Sequence, residues 1–311
     1  MIINNTKINK LVTHNGSFHA DDIFACATLC LYLEKRGEKY EIIRTRDSEV
    51  IKNADYVFDV GGVYDEEKNR FDHHQKEFNE KRKVLEVDGV SEAEFLYSSF
   101  GLVWKKFGVE FAGGEKEAKI VDEMLVVPVD AFDNGFNLVE NKYSVTPYLI
   151  QHFFLSMRPT YRENDVTFDE MFFQSVEIAK KVLEREMILA RDSAIAEAEI
   201  IDIYNNTEDK RVLVFDKQYD FDHNVLNNFP EPLYIIFPKS DGTYGVKTVR
   251  KNPKSFANRK DLPVSWGGLK NEELVKVTGV SEAVFCHRGL FLVVAKTLDG
   301  AKALARKALE D

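Results

Sequence analysis

The sequence predicts an α/β fold, with a mostly parallel sheet flanked by helices in its first part and a smaller mixed α+β domain in its second. Three observations carry this. Apolar strand-like runs alternate with helical patterns up to about residue 135, which is the pattern of a parallel sheet covered on both faces. A long helical pattern follows, and after residue 200 the texture changes to short strands with turn signals. At 311 residues the chain is long enough for roughly two domains, assigned as 1–200, ending in a long connecting helix, and 201–311.

Each element has its own signal. KLVTH is a short apolar strand ending at His14, and ADDIFACATLCLYLEKRG is a helix with Ile23, Ala27, Cys30 and Leu31 on one stripe and Gly37 as its stop. YEIIRT is a second strand, and ADYVFDVGG a third closed by two glycines. SEAEFLYSSFGLVWKKFG reads as one helix opened by Ser91, with Glu94 at the capping-box spacing. EKEAKIVDEMLVVPVDAFDNG is another helix, interrupted near Pro128 and stopped at Asn134-Gly135. From Thr167 to Glu199, Phe172, Val176, Ala179, Leu183, Met187 and Ala190 recur at three- and four-residue steps, the stripe of a long bracing helix. RVLVFD, LYIIFP, TYGVKTV, AVFCHRG and LFLVVA then read as strands, and DGAKALARKALE as a final helix.

Composition narrows the function classes. A hydrophobic content of 44% and a charged content of 30% describe a soluble globular chain. No apolar run approaches the roughly 18 residues of a membrane span, and MIINNTKINKLVTHNG lacks a signal-peptide core. Three scattered cysteines argue for a reducing compartment, so cytoplasm is expected, with Cys26 and Cys30 as small core residues. A net charge of −10 disfavours a polyanion partner, but Lys239 to Lys270 holds eight basic residues against two acidic ones.

The stretch FDHHQ, residues 71–75, places an aspartate beside two of the chain's seven histidines at the edge of a polar loop. Other acids and imidazoles fall at comparable places. His14, His19, Asp21 and Asp22 follow the first strand, Asp59 ends the third, and Asp130 and Asp133 close a later helix. In an open parallel sheet the carboxyl ends of the strands line one ligand-binding edge, so these segments are expected to meet there. That many ionised carboxylates repel one another unless cations join them. Mixed nitrogen and oxygen donors suit manganese, iron, zinc or cobalt, and six or more ligands exceed what one ion needs. Two ions roughly 3.5–4 Å apart can lower the pKa of a bridging water toward about 7, which suits in-line displacement at phosphorus.

HNGSFHADD, VFDVGG, FDHHQ and VDAFDNG, in this order, resemble the four metal-binding motifs of the DHH phosphoesterase superfamily, and specifically its MYG-type branch of 3′–5′ RNA exonucleases. SSFGLVW, FPKSDGTYGVKTV, SFANRKDLP and WGGL extend the resemblance over nearly the whole chain. It implies a DHH-type catalytic first domain and makes His14, His19, Asp21, Asp59, His73 and Asp130 the metal ligands, with Asp59 bridging. Asp133 is the other candidate for the fourth motif, its alternative role being a helix stop. His19 stands where the wider superfamily has an aspartate, which favours Mn2+ over Mg2+, with Co2+ and Zn2+ as further options. Asp72 is expected to accept the other ring N–H of His73, leaving His74 to meet the substrate phosphate or protonate a leaving oxygen.

The basic stretch supplies the expected substrate contacts. Arg250, Lys251, Lys254, Arg259 and Lys260, near Phe256 and Trp266, would clamp a phosphodiester backbone and stack a base, with His287 and Arg288 as phosphate contacts. Val293-Val294 stands where the branch has a glycine pair. The resulting expectation is a two-metal phosphodiesterase removing nucleotides from single-stranded RNA or short oligonucleotides, with no membrane partner and with homo-oligomerisation left open. A small-phosphate hydrolase acting on pyrophosphate, cyclic dinucleotides or nucleotide phosphates, and a non-catalytic RNA-binding protein, are the alternatives.

Overall fold

The computed structural model describes residues 7–86, 91–219, 222–252 and 255–311. It is a mixed α/β structure of two compact units, Met1–Arg191 and Asp192–Asp311. The division falls inside the long helix, as does the sequence-based boundary near residue 200.

In the first unit, β1 (Ile8–Thr13), α1 (Ala20–Lys35), β2 (Lys39–Arg44), α2 (Ser48–Lys52), β3 (Tyr56–Phe58), β4 (Tyr64–Asp65) and β5 (Arg70–Phe71) build a five-stranded sheet of order β2-β1-β3-β5-β4. All its pairings are parallel except β4 with β5. The two-residue strand β5 carries no sequence signal of its own; the register Phe58–Phe71 creates it. Helix α1 is buried around nearly its whole circumference, which explains its continuous apolar run and places Cys26 and Cys30 in the core as expected. Phe24 stacks on Phe100 at 5.1 Å and meets Phe154 edge-on at 5.3 Å, joining α1 to the helices that cover it.

The stretch predicted as one helix from Ser91 divides. Residues 92–96 form β7 (Glu92–Leu96), which pairs antiparallel with β6 (Lys81–Leu85) as a separate two-stranded sheet, and helix α3 (Ser99–Ala112) begins only after Ser98. EAEFL alternates polar and apolar residues, and that strand period outweighs the capping-box spacing. The next helix is continuous in direction but changes form: α4 (Glu115–Val121), a π-turn at Asp122–Val126, then α5 (Val127–Asp133). Pro128 lacks an N–H and its ring would crowd the carbonyl of Met124 in an α-helix; the wider turn accommodates both. Helices α6 (Ile150–Ser156) and α7 (Phe168–Asn206) follow.

The second unit contains β8 (Val212–Val214), α8 (Asp222–Leu226), β9 (Tyr234–Pro238), β10 (Tyr244–Thr248), α9 (Asn271–Thr278), β11 (Ala283–Cys286), β12 (Leu292–Ala295) and α10 (Leu298–Glu310). Its sheet runs β11-β12-β10-β9-β8, antiparallel except for β8 with β9. Ala301, Leu304, Ala305 and Ala308 form the buried stripe of α10. Among the described residues no helix is long and apolar enough to cross a membrane.

Candidate metal centre

Three neighbouring parallel strands stop at the same edge, and each is followed at once by a polar side chain. His14 follows β1, Asp59 follows β3, and Asp72, His73 and His74 follow β5. One residue past the Phe58–Phe71 pair, Asp59 and Asp72 leave the sheet side by side. Asp59 has φ 54°, in the left-handed region, so its carboxylate is aimed by a backbone that most residues avoid. The first turn of α1 adds Asp21 and Asp22 beside His19, where the helix N-terminus favours negative charge.

The two carboxylate oxygens of Asp59 face different groups. Oδ2 lies 3.1 Å from Nε2 of His14, which is itself 3.4 Å from Oδ2 of Asp22. Oδ1 lies 3.4 Å from Nε2 of His73 and 3.5 Å from Nδ1 of His74, and it accepts a hydrogen bond from the Ser99 hydroxyl at 3.1 Å. Nε2 of His73 also lies 3.4 Å from Asp133 and 3.9 Å from Asp21. Three triads result: His14, Asp22 and Asp59; Asp59, His73 and His74; His19, Asp21 and Asp133. Within each, one donor atom per residue lies within 4.8 Å of the others.

The imidazoles neutralise these charges only in part. Both oxygens of Asp21, Oδ2 of Asp22 and Nε2 of His73 are buried and have no hydrogen-bond partner. Burial pushes the Asp21 carboxyl well up, and the nearby Asp133, Asp59 and Asp22 push it further. Burial and Asp59 likewise raise Asp22 to about 7, against the opposing pull of His14. Burial also raises Asp133. Burial works to raise Asp59 too, but its pairing with His14 and His73 prevails and holds it well below the usual carboxylate range. His14 is raised, its burial being outweighed by the bond to Asp59. Burial and the charge of Arg158 lower His19. Orphaned buried acceptors costing several kcal/mol apiece in a mixed imidazole–carboxylate set fit divalent cations, and these groups can bind metal.

The sequence profile of the MYG1 exonuclease family, described as an uncharacterised protein family (UPF0160), matches residues 10–309. The chain belongs to this family. The MYG1 exonuclease of Homo sapiens is 30% identical over 331 residues, covering 96% of this chain and 85% of the human one. The MYG1 protein of Chlamydia muridarum is 31% identical over 292 residues, covering 91% and 90%. The manganese complex of RecJ from Thermus thermophilus aligns over 97% of this chain and 52% of its own, with 12% identity and a TM-score of 0.30.

In this MYG1-family chain five of the six expected ligand positions, His14, His19, Asp21, Asp59 and His73, come together. Asp130 does not. Its carboxylate is fully buried and accepts from the Ser98 hydroxyl at 2.5 Å, from the Gly101 N–H at 3.0 Å and from Nε of Arg82. Any side chain at position 101 would strike it. Asp133, one helical turn on, takes the place expected of Asp130. Asp72 also departs from expectation: it bonds His74, not His73. Its Oδ1 accepts from the backbone N–H of His74 at 3.1 Å and lies 2.8 Å from that ring's Nδ1, while Oδ2 accepts from the Gly62 N–H at 2.6 Å. Burial would raise Asp72, yet these bonds, that to the His74 ring foremost, hold it low; the same ring bond lifts His74 to about 9.

Sequence reasoning placed Asp22 among the acids of this edge without making it a ligand, and it passed over Arg82 and Ser99. Asp22 was masked by its capping geometry, since its Oδ1 accepts the His19 N–H at 2.9 Å. Arg82 stood in a charged run, KRK, whose strand period buries only the middle residue; it holds Asp122 with two bonds of 2.8 Å.

The basic positions of the second unit differ in kind. Arg259 spends its guanidinium on the carbonyls of Phe229, Pro232 and Leu226, at 2.6, 3.1 and 3.0 Å, so it is a structural brace and not a phosphate contact. Lys260 bonds the Leu309 carbonyl, and Trp266 is buried in the core, removed from any stacking role. Arg250 lies over the Phe256 ring at 4.9 Å, and that ring is 89% exposed. Lys251 and Arg288 are exposed, while Nδ1 of His287 accepts the Gly289 N–H at 3.0 Å. Lys254 lies outside the described residues. Val293 and Val294 are buried on β12, where they add to the sheet and its core.

Proposed function

We propose that this chain is a metal-dependent phosphoesterase, a 3′–5′ exonuclease that removes nucleotides from single-stranded RNA or short oligonucleotides using two divalent cations, with manganese first. The observation that carries the reading is Asp59: a strained, ionised carboxylate whose two oxygens face two separate donor groups, amid buried acceptors without partners. His14, Asp22 and Asp59 would hold one ion, and Asp59 with His73, Asp21, Asp133 and His19 the other. Bound there, such ions supply a water of lowered pKa and positive charge for the phosphoryl oxygens.

The chain's own residues supply the rest. His74 is exposed at the rim and, paired with Asp72, carries its proton at neutral pH, which suits it to protonate a leaving oxygen. Ser99 orients Asp59 through its hydroxyl. Arg250, Lys251, His287 and Arg288 are the proposed contacts to a nucleic-acid backbone, with Phe256 as a ring for a base. Three free, buried cysteines agree with action in the reducing cytoplasm.

Metal analysis joined to a substrate panel tests the proposal. Purified protein should take up two equivalents of manganese and shorten a labelled oligoribonucleotide one nucleotide at a time. Release of orthophosphate from pyrophosphate with the RNA left intact would reject it in favour of a small-phosphate hydrolase.

A further inference from the structure

A cavity of about 500 Å³ opens beside the imidazoles and carboxylates, within the range of small-molecule sites. One side of it is the acidic cluster itself. The other side has a different chemistry, formed by Ala20, Val129, Phe132 and Leu155 together with two amides, Asn134 and Gln151. No lysine or arginine is among the described residues that line it.

Both amides are already oriented. Nε2 of Gln151 donates to the Pro128 carbonyl at 2.9 Å, and Nδ2 of Asn134 donates to the carbonyls of Leu96 and Asp130, each at 2.9 Å. Their amide oxygens have no partner among the described residues, so what each can offer a ligand is an acceptor. Phe132 is 38% exposed and is held edge-on against the His152 ring at 5.6 Å, leaving ring surface for a flat ligand.

We infer that this half of the cavity is a nucleoside subsite. It receives the nucleoside whose phosphate lies at the acidic cluster, with the base against Phe132 and hydroxyl or amino hydrogens on the oxygens of Gln151 and Asn134. The inference rests on the phosphoesterase reading and narrows it. Pyrophosphate and polyphosphate have neither a flat apolar face nor neutral donors, and this wall has no cation to hold a second phosphate. A nucleotide supplies what the wall lacks.

The test compares wild type, Phe132→Ala and Phe132→Trp by equilibrium titration. The probes are inorganic phosphate, the four ribonucleoside 5′-monophosphates and the parent nucleosides, with and without manganese. With manganese, the best monophosphate should bind about tenfold or more tightly than phosphate. Phe132→Ala should remove most of that advantage while leaving phosphate and manganese affinities unchanged, and Phe132→Trp should restore it. Monophosphates no tighter than phosphate, or an advantage that survives in Phe132→Ala, would overturn the subsite. Failure of the phosphoesterase reading looks different. The protein would then bind neither manganese nor phosphate, and nucleoside binding to metal-free protein, lost in Phe132→Ala, would still sustain the subsite.

Discussion

The strand-end edge of the first unit and the basic surface of the second both hold dense charge, and they treat it in opposite ways. At the edge, carboxylates are buried together with oxygens that bond to nothing. On the basic surface, Arg259 and Lys260 spend their charge on backbone carbonyls, and Lys251 and Arg288 keep theirs in solvent. Buried, uncompensated charge is costly enough that a fold retains it only for a partner, whereas exposed or braced charge needs no such explanation. The contrast teaches where function is written most legibly: in the penalty a site carries, not in the number of charged residues.

Variants can break that contrast, beginning with Asp59. Asp59→Asn keeps a residue suited to the left-handed backbone, so the fold should persist by circular dichroism while manganese content and turnover fall to background. Undiminished turnover would remove the bridging role. His74→Ala should cut turnover about 10²–10⁴-fold with manganese content retained, measured by single-turnover kinetics. Equal loss of metal would make His74 a ligand instead of a proton donor.

The metal-free protein offers a pH test of the same penalty. Asp22 is raised to about 7 in the folded state, from 3.8, so between these values the native chain holds a proton that the unfolded chain has released. Stability therefore falls as pH rises through this window, and melting temperatures should decline from pH 4 to pH 7. Asp22→Asn should lessen the decline, with the raised Asp21 and Asp133 carrying the remainder; an unchanged slope would show that Asp22 does not contribute to it. On the basic surface the expected effects are smaller and separate cleanly. Arg259→Ala should lower stability by about 1–3 kcal/mol in denaturant titration with KM unaltered, because three carbonyls lose their donor. Lys251→Ala and Arg288→Ala should leave stability unchanged and raise KM for oligonucleotides a few-fold, less at high salt.

Much of the site was legible because the parallel sheet aligns strand ends. Once KLVTH and YVF were strands, His14 and Asp59 had to emerge together. The first helix and the long α7 were equally plain, since their periods run for many residues. What escaped were decisions made by side-chain orientation within one helical turn. Asp130 and Asp133 lie three residues apart in VDAFDNG, and only the packing of Ser98, Gly101 and Arg82 around the former decides which faces the ions' place. The pair β6–β7 was hidden because the alternation in EAEFL is short and overlaps a capping-box spacing, and its partner strand buries an arginine, Arg82, in place of an apolar residue. Asp72 chose His74 through local geometry that spacing alone does not encode.

The π-turn at Asp122–Val126 has a consequence for how the centre can be altered. Such a turn is one residue longer than its α-helical equivalent, and each residue of an α-helix advances the chain by about 100°. Deleting a single residue there would let the backbone relax to regular winding with the helix beyond it in nearly the same phase, so Asp133 should still face His73 and Asp21. Deleting one residue from the regular helix between the turn and Asp133 would instead swing it by about 100° around the axis. The wide turn thus acts as a length buffer: one residue can be lost there with the last carboxylate kept in place, while the same loss in the regular turns next to it carries that carboxylate away.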